Sequence, residues 1–230
     1  MVCDTVIYHP TLSKLINFLD NGAGREKVLR LLQYLSRFLA AQTLSPLAKA
    51  LQLQFSTVRK FLRFLKPLNN IQNACRLYDN KLTGDGAIRI FSIIRQLSYA
   101  GYLTLDQINL FRILRVIPTT NVTGKKVPKW CNWCWLIALV SGMLAEIRQV
   151  RLSQSRISAL TQDETIEKDL LSKSYKDRYT ASRKFVWNAI DCFMVLNNLG
   201  FLHYQDGYVS LAGVFTSLFG LQDTWKAARP

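Results

Sequence analysis

Acidic side chains are scarce in this chain: 15 Asp and Glu stand against 30 Lys and Arg, leaving a formal net charge of +15. A deficit of that size points to an acidic partner, whether nucleic acid, anionic lipid or an acidic protein. Histidine is almost missing, and His9 and His203 lie far apart in sequence, outside any recognisable nucleophile or acid/base set. The expectation is therefore a protein that is not an enzyme. Cysteine comes in an odd number, five (Cys3, Cys75, Cys131, Cys134 and Cys192), and the opening segment MVCDTVIYHP has neither a basic leader nor an apolar core for secretion. Free thiols in a reducing, cytosol-facing setting are expected. The closing Ala-Ala-Arg-Pro carries no Ser-Lys-Leu address and no lipidation box, so organelle targeting is expected to reside inside the chain.

Other absences narrow the field. Gly22-Ala23-Gly24 follows no strand and precedes no complete nucleotide fingerprint, so no cofactor is expected. Cys131 and Cys134 have a zinc-like spacing, but a structural zinc needs four ligands, and there is no second pair or nearby histidine. A redox reading of the same pair wants a strand-to-helix context that is missing. No metal is expected, and these thiols are read as packing among tryptophans. Signals for β structure are few, and no tandem repeat is evident.

What is present is helical periodicity. Leu12, Leu15, Ile16 and Leu19 make a first helix that ends at Asn21-Gly22, and Val28, Leu31, Leu32, Leu35, Phe38 and Leu39 share one face of a second. Pro46 suits the first turn of a third helix, expected to run to about Lys66, where Pro67 stops or kinks it. LTGDG at 82–86 reads as a loop, 87–117 as two helices closed by Pro118, and 120–129 as a basic loop. Trp130 to Ala145 contains only Asn132 and Ser141 as polar residues, slightly short of the ~20 residues of a straight membrane crossing. Its tryptophans beside Lys125, Lys126 and Lys129 suit an interface belt. A spanning helix and a buried core helix fit this run equally well. Residues 153–176, with Asp163, Glu164, Glu167 and Asp169, read as a solvated and partly helical polar linker, and 177–230 as C-terminal apolar helices in which Gly213 and Gly220 suit close packing. Asp191 and the Asn197-Asn198 pair interrupt the apolar stretch, as caps, a buried hydrogen bond or the lining of a polar path. The chain is thus divided into an amphipathic region at 1–118, a basic loop and Trp-rich helix at 119–152, the linker and the C-terminal block.

The most informative segment is FSTVRKFLRFLK at 55–66. It lies in a stretch from Lys27 to Tyr78 that contains nine Lys or Arg residues and no acid. On a helical wheel Phe55, Val58, Phe61, Leu62, Phe64 and Leu65 fill one half, and Arg59, Lys60, Arg63 and Lys66 cluster in the other. A surface helix of a soluble bundle has the same outline. Two details favour a membrane surface: the polar face is purely cationic, and three phenylalanines occupy twelve positions. All ten residues are candidate lipid contacts. A nucleic-acid partner, which the charge allows, finds no recognised motif and no use for the Trp-rich blocks.

The chain resembles the fungal members of the peroxin-eleven family nearly end to end. The resemblance is carried by MVCDT with Tyr8-His9-Pro10, GREKVLRLLQYLSRFLA at 24–40, FSTVRKFLRFLKPL at 55–68 and YDNKL at 78–82. It continues in LDQINLFRILRVIP at 105–118, GKKVPKW at 124–130, NWCW at 132–135, DRYTA at 177–181 and LNNLG at 196–200, and is least at 153–174. It implies an all-α, membrane-associated bundle of the peroxisomal membrane that elongates and proliferates peroxisomes by inserting its amphipathic helix, here Phe55 to about Tyr78. It further implies self-association, contact with the fission machinery and its dynamin-related GTPase, a link to fatty-acid oxidation and, alternatively, a pore for small metabolites.

Overall fold

The computed structural model describes residues 9–80, 84–161 and 168–228, and among these there are α-helices and no strand. The helices are α1 (Pro10–Asp20), α2 (Gly22–Thr43), α3 (Pro46–Leu62), α4 (Lys66–Asp79) and α5 (Gly86–Ile113). A π-helical turn at Val122–Lys126 then leads into α6 (Val127–Thr161), followed by α7 (Lys168–Leu199) and α8 (Asp206–Ala227). Their starts follow from local chemistry. Asn21 Oδ1 accepts from the Ala23 N–H at 3.0 Å, Ser45 caps α3 ahead of Pro46, and Asp85 Oδ1 accepts from Ala87 and Ile88 at 3.0 and 3.2 Å.

Three expectations about helix boundaries are revised, and the linker gains detail. The third helix stops at Leu62 rather than near Lys66, and Leu65 takes a left-handed backbone with φ 58°. Pro67 has no N–H for the Arg63 carbonyl and its ring crowds that group, so the disruption falls a full turn ahead of the proline. Residues 87–117 form one long helix to Ile113, because Gly101 sits mid-helix against the Cys134 sulfur and introduces no break. The basic loop at 120–129 is helical: the Val127 N–H bonds to the Val122 carbonyl, five residues back, and this wider turn accommodates Pro128 at the start of α6. The polar linker is largely absorbed by the end of α6, where Ser153 and Ile157 are buried, and by the start of α7. Cys3, the loop residues Leu82 and Thr83, and the linker acids Asp163, Glu164 and Glu167 lie outside the described residues.

The helices group into two compact units that cut across the four stretches read from composition. One contains α1, α2, α3 and α8, and the other contains α4, α5, α6 and α7. In the first, α2 is central and packs on α3 and α8. Gly213 of α8 lies so close to the Tyr34 ring that a Cβ there would collide with it, and Arg30 donates to Thr216 Oγ1 at 2.8 Å. Phe18 meets Trp225 edge-on at 5.6 Å. In the second unit α6 lies between α5 and α7, with Ala138, Ser141, Gly142 and Ala145 turned inward.

Beside buried Phe18 and Val209 in the first unit and buried Leu110, Leu139, Met194 and Val195 in the second, both units bury many small and polar groups and leave many large apolar ones exposed. On α2 the buried positions include Glu26, Arg30, Tyr34 and Ser36, whereas Leu32, Leu35 and Leu39 are exposed. On α6, Trp130, Trp133, Ile137, Val140, Leu144 and Ile147 form one exposed stripe. In water this arrangement would forgo ~1.5–3 kcal/mol for each large side chain left out. In lipid it is the favourable one, because hydrocarbon solvates the leucines while close helix packing and buried polar pairs hold the bundle.

Candidate functional site

Because α3 begins at Ser45-Pro46 and packs on α2, its register decides which of its residues can reach a membrane. Val58, Phe61, Leu62, Phe64 and Leu65 are exposed, Phe61 at 50% and Leu65 at 55%, and Phe55 is half-buried. Together with exposed Leu47 and Leu53, they give this segment an apolar outer surface. Of the six apolar residues expected to insert, Val58, Phe61 and Leu62 are exposed on α3, Phe64 and Leu65 are exposed beyond its end, and Phe55 is half-buried.

The cations divide. Lys66 is exposed and Lys60 is half-buried. Arg59 is buried at 7% exposure and faces α2, where its Nε and Nη2 donate to Glu26 Oε1 at 3.0 and 2.7 Å and its Nη1 donates to Gln33 Oε1. Arg63 is half-buried, with its Nε 4.0 Å from the same carboxylate oxygen and 3.3 Å from the Arg59 carbonyl. The sequence reading set Arg59 on the open cationic face; the structure places it inside, since the side of α3 that rests on α2 is the one carrying Arg59 and Ala48. A guanidinium that leaves water requires a paired acceptor, and Glu26 supplies it.

Glu26 itself was missed, because the acid-free stretch begins one residue later. Its burial would raise its pKa, but Lys27, Arg59 and Arg63 outweigh that effect and hold the carboxyl well below the usual carboxylate range. For Arg59, burial and then the neighbouring Arg63 lower the pKa, while Glu26 acts in the opposite direction. The signal that could have found this site is a polar stripe along α2: Glu26, Arg30, Gln33 and Arg37 recur at i, i+4, i+7 and i+11 among leucines. Arg37 meets exposed Asp206 of α8 at 2.8 Å, at the solvent-accessible end of this polar seam.

In the second unit, the exposed stripe of α6 spans 17 residue steps from Trp130 to Ile147, about 26 Å at 1.5 Å per residue. That approaches the ~30 Å of a bilayer core. Lys125, Lys126 and Lys129 stand at one end and Arg148 and Arg151 at the other. Among the described residues, the helical stretch Val122–Thr161 is the one long and apolar enough to cross a membrane. Cys131 lies buried and donates to the Tyr102 carbonyl at 3.5 Å, and Trp135 packs on the Tyr102 ring at 5.6 Å. Asp191 is buried beside the α6 seam, as is Asn188, which accepts from Arg95 at 3.4 Å, while Asn198 is exposed.

A chain with apolar exteriors around polar seams can be compared with membrane proteins of known kind. It matches the family model Peroxisomal biogenesis factor 11 (PEX11) over residues 12–225. The chain belongs to the PEX11 family. It is 53% identical to the peroxisomal membrane protein PMP27 of Saccharomyces cerevisiae, over 99% of this chain and 100% of that one. It is 31% identical to the peroxisomal membrane protein PMP30B of Candida boidinii over the whole of both chains. Identity to peroxisomal biogenesis factor 11 of Schizosaccharomyces pombe is 27%, over 96% of this chain and 97% of that one. No solved structure matches. As a PEX11 protein, the chain resides in the peroxisomal membrane and serves peroxisome biogenesis and proliferation.

Proposed function

We propose that this protein elongates the peroxisomal membrane mechanically, by wedging the apolar side of α3 into one leaflet. The observation that carries the reading is the outward set of Val58, Phe61, Leu62, Phe64 and Leu65 on a segment that also carries Lys60 and Lys66. Each basic residue near an anionic surface contributes ~1 kcal/mol. Partial burial of five large apolar side chains adds several times that. A helix seated among headgroups expands its own leaflet and favours curvature, and many copies would draw out a tubule.

Self-association concentrates such wedges. The small residues of α8 are engaged within the first unit, with Gly213 against Tyr34, so a second copy would be met through exposed Leu211, Phe215 and Leu218 instead. Elongated membrane is then a substrate for the fission machinery, including a dynamin-related GTPase, as the partner class for this chain. A second reading is a pore for small metabolites. It is favoured by the polar interior of the second unit, where Arg95 lies 3.6 Å from Glu146 and donates to buried Asn188, and where Asp191 is also buried.

Full-length protein on anionic vesicles loaded with a small dye, imaged for shape and followed for leakage, tests both. Tubules on sealed vesicles are expected, and Leu62→Asp should leave docking partly intact while abolishing tubules. Leakage from vesicles that stay round would promote the pore, and tubulation by Leu62→Asp would remove α3 from the mechanism.

A further inference from the structure

Glu26 occupies a position suited to an anion from outside the protein. Its carboxylate takes two hydrogen bonds from the Arg59 fork, lies 3.3 Å from Lys27 Nζ and 4.0 Å from Arg63 Nε. Arg30, one turn further along α2, is a fourth cation close enough to act on Arg59. A guanidinium fork joined by two more cations is a donor set that matches phosphate as well as carboxylate. The Arg59 guanidinium also donates to Gln33, tying α3 to α2.

We propose that the Lys27–Arg59–Arg63 cluster is a phosphate-accepting site for anionic lipid headgroups, filled in the closed form by the Glu26 carboxylate, which lipid must displace before α3 parts from α2. This rests on the reading of α3 as the inserting helix. The carboxylate is ionised at every physiological pH, so the competition is set by the surface density of lipid phosphate and not by protonation. The protein would then bind and bend membrane only above a threshold of anionic lipid, and Glu26 would set that threshold.

The test is cosedimentation of the full chain with phosphatidylcholine vesicles containing rising fractions of phosphatidylinositol. At a limiting anionic fraction, Glu26→Gln is expected to bind at least about fivefold more than the natural chain, the lower end of a typical coupling between sites. Combining Glu26→Gln with Arg59→Gln restores a neutral hydrogen-bonded pair and should bring binding back to or below the natural level. Glu26→Asp, which keeps the charge but shortens its reach, should fall between and covers the case in which Glu26→Gln loses its helical circular dichroism. An unchanged half-binding fraction in Glu26→Gln and Glu26→Asp, with Lys66→Ala and Leu62→Asp still weakening binding, would overturn the competition while sparing the inserting helix. A natural chain that ignores anionic vesicles altogether would overturn both. Inorganic phosphate, at an ionic strength matched with chloride, should not promote binding to neutral vesicles; if it does, the site takes free phosphate and the headgroup assignment fails.

Discussion

Replacing Arg59 with alanine separates two roles that a helical wheel treats alike. In the structure the change deletes the guanidinium that pairs with Glu26 inside the first unit and leaves a carboxylate at 4% exposure without its closest partner. Breaking a buried pair by removing one member costs ~3–5 kcal/mol. Lys27 and Arg63 remain near the carboxylate and reduce that cost, so about 3 kcal/mol is the working figure. For a chain of 150–250 residues each kcal/mol moves the melting point by ~2–4 °C, and a fall of about 6 °C or more is expected. Were Arg59 a simple headgroup contact, its removal would leave the melting point alone and weaken anionic-vesicle binding by ~1 kcal/mol, about fivefold. Circular-dichroism melts of the purified protein in detergent, run beside Lys66→Ala, distinguish the two. Lys66 is exposed, so its replacement should leave the melt unchanged and cost only vesicle affinity. If Arg59→Ala and Lys66→Ala melt within about 1 °C of the natural protein and lose equal affinity, the Glu26–Arg59 pair does not hold the first unit together.

Three further outcomes follow from other contacts. Gly213→Leu should destabilise the α2–α8 packing by ~1–3 kcal/mol or more, because the new side chain meets the Tyr34 ring; a lower melting point rescued by Tyr34→Ala would be the signature. The Glu26 carboxyl is held below its unfolded value, so its contribution to stability is complete above about pH 5 and is lost as pH falls through and below the ordinary carboxylate pKa of ~4.3. Melts from pH 6 to pH 3 should show that loss in the natural chain and a smaller slope in Glu26→Gln. Pro67→Ala should remove the break at Leu65 and let a peptide of residues 46–79 form one continuous helix on micelles, gaining up to ~3 kcal/mol of helix propensity; unchanged helicity would show that Pro67 does not cause the break.

The sequence alone reveals the helical class, the end of α1 at Asn21, the start of α3 at Pro46 and the cationic amphipathic character of 55–66, because turns, prolines and a period of 3.6 are local properties. It also carried the family, through motifs spread along nearly the whole chain. Boundaries failed where a break was inferred without a local cause: 87–113 is covered by the single helix α5 where two helices were expected, and the π turn before Pro128 turned a supposed loop into the start of α6. Which side of each amphipathic helix faces inward was decided only by tertiary structure. Leu32, Leu35 and Leu39 share one side of α2 whether the solvent is water or lipid, and a wheel cannot say which solvent applies. The choice rests on what the other side can pair with, and that is set by residues distant in sequence: Glu26 for Arg59, Thr216 for Arg30 and Asp206 for Arg37. Those contacts form a polar seam and turn the leucines outward, because a guanidinium packed between helices must find a hydrogen-bonding partner while an apolar side chain needs only an environment without water.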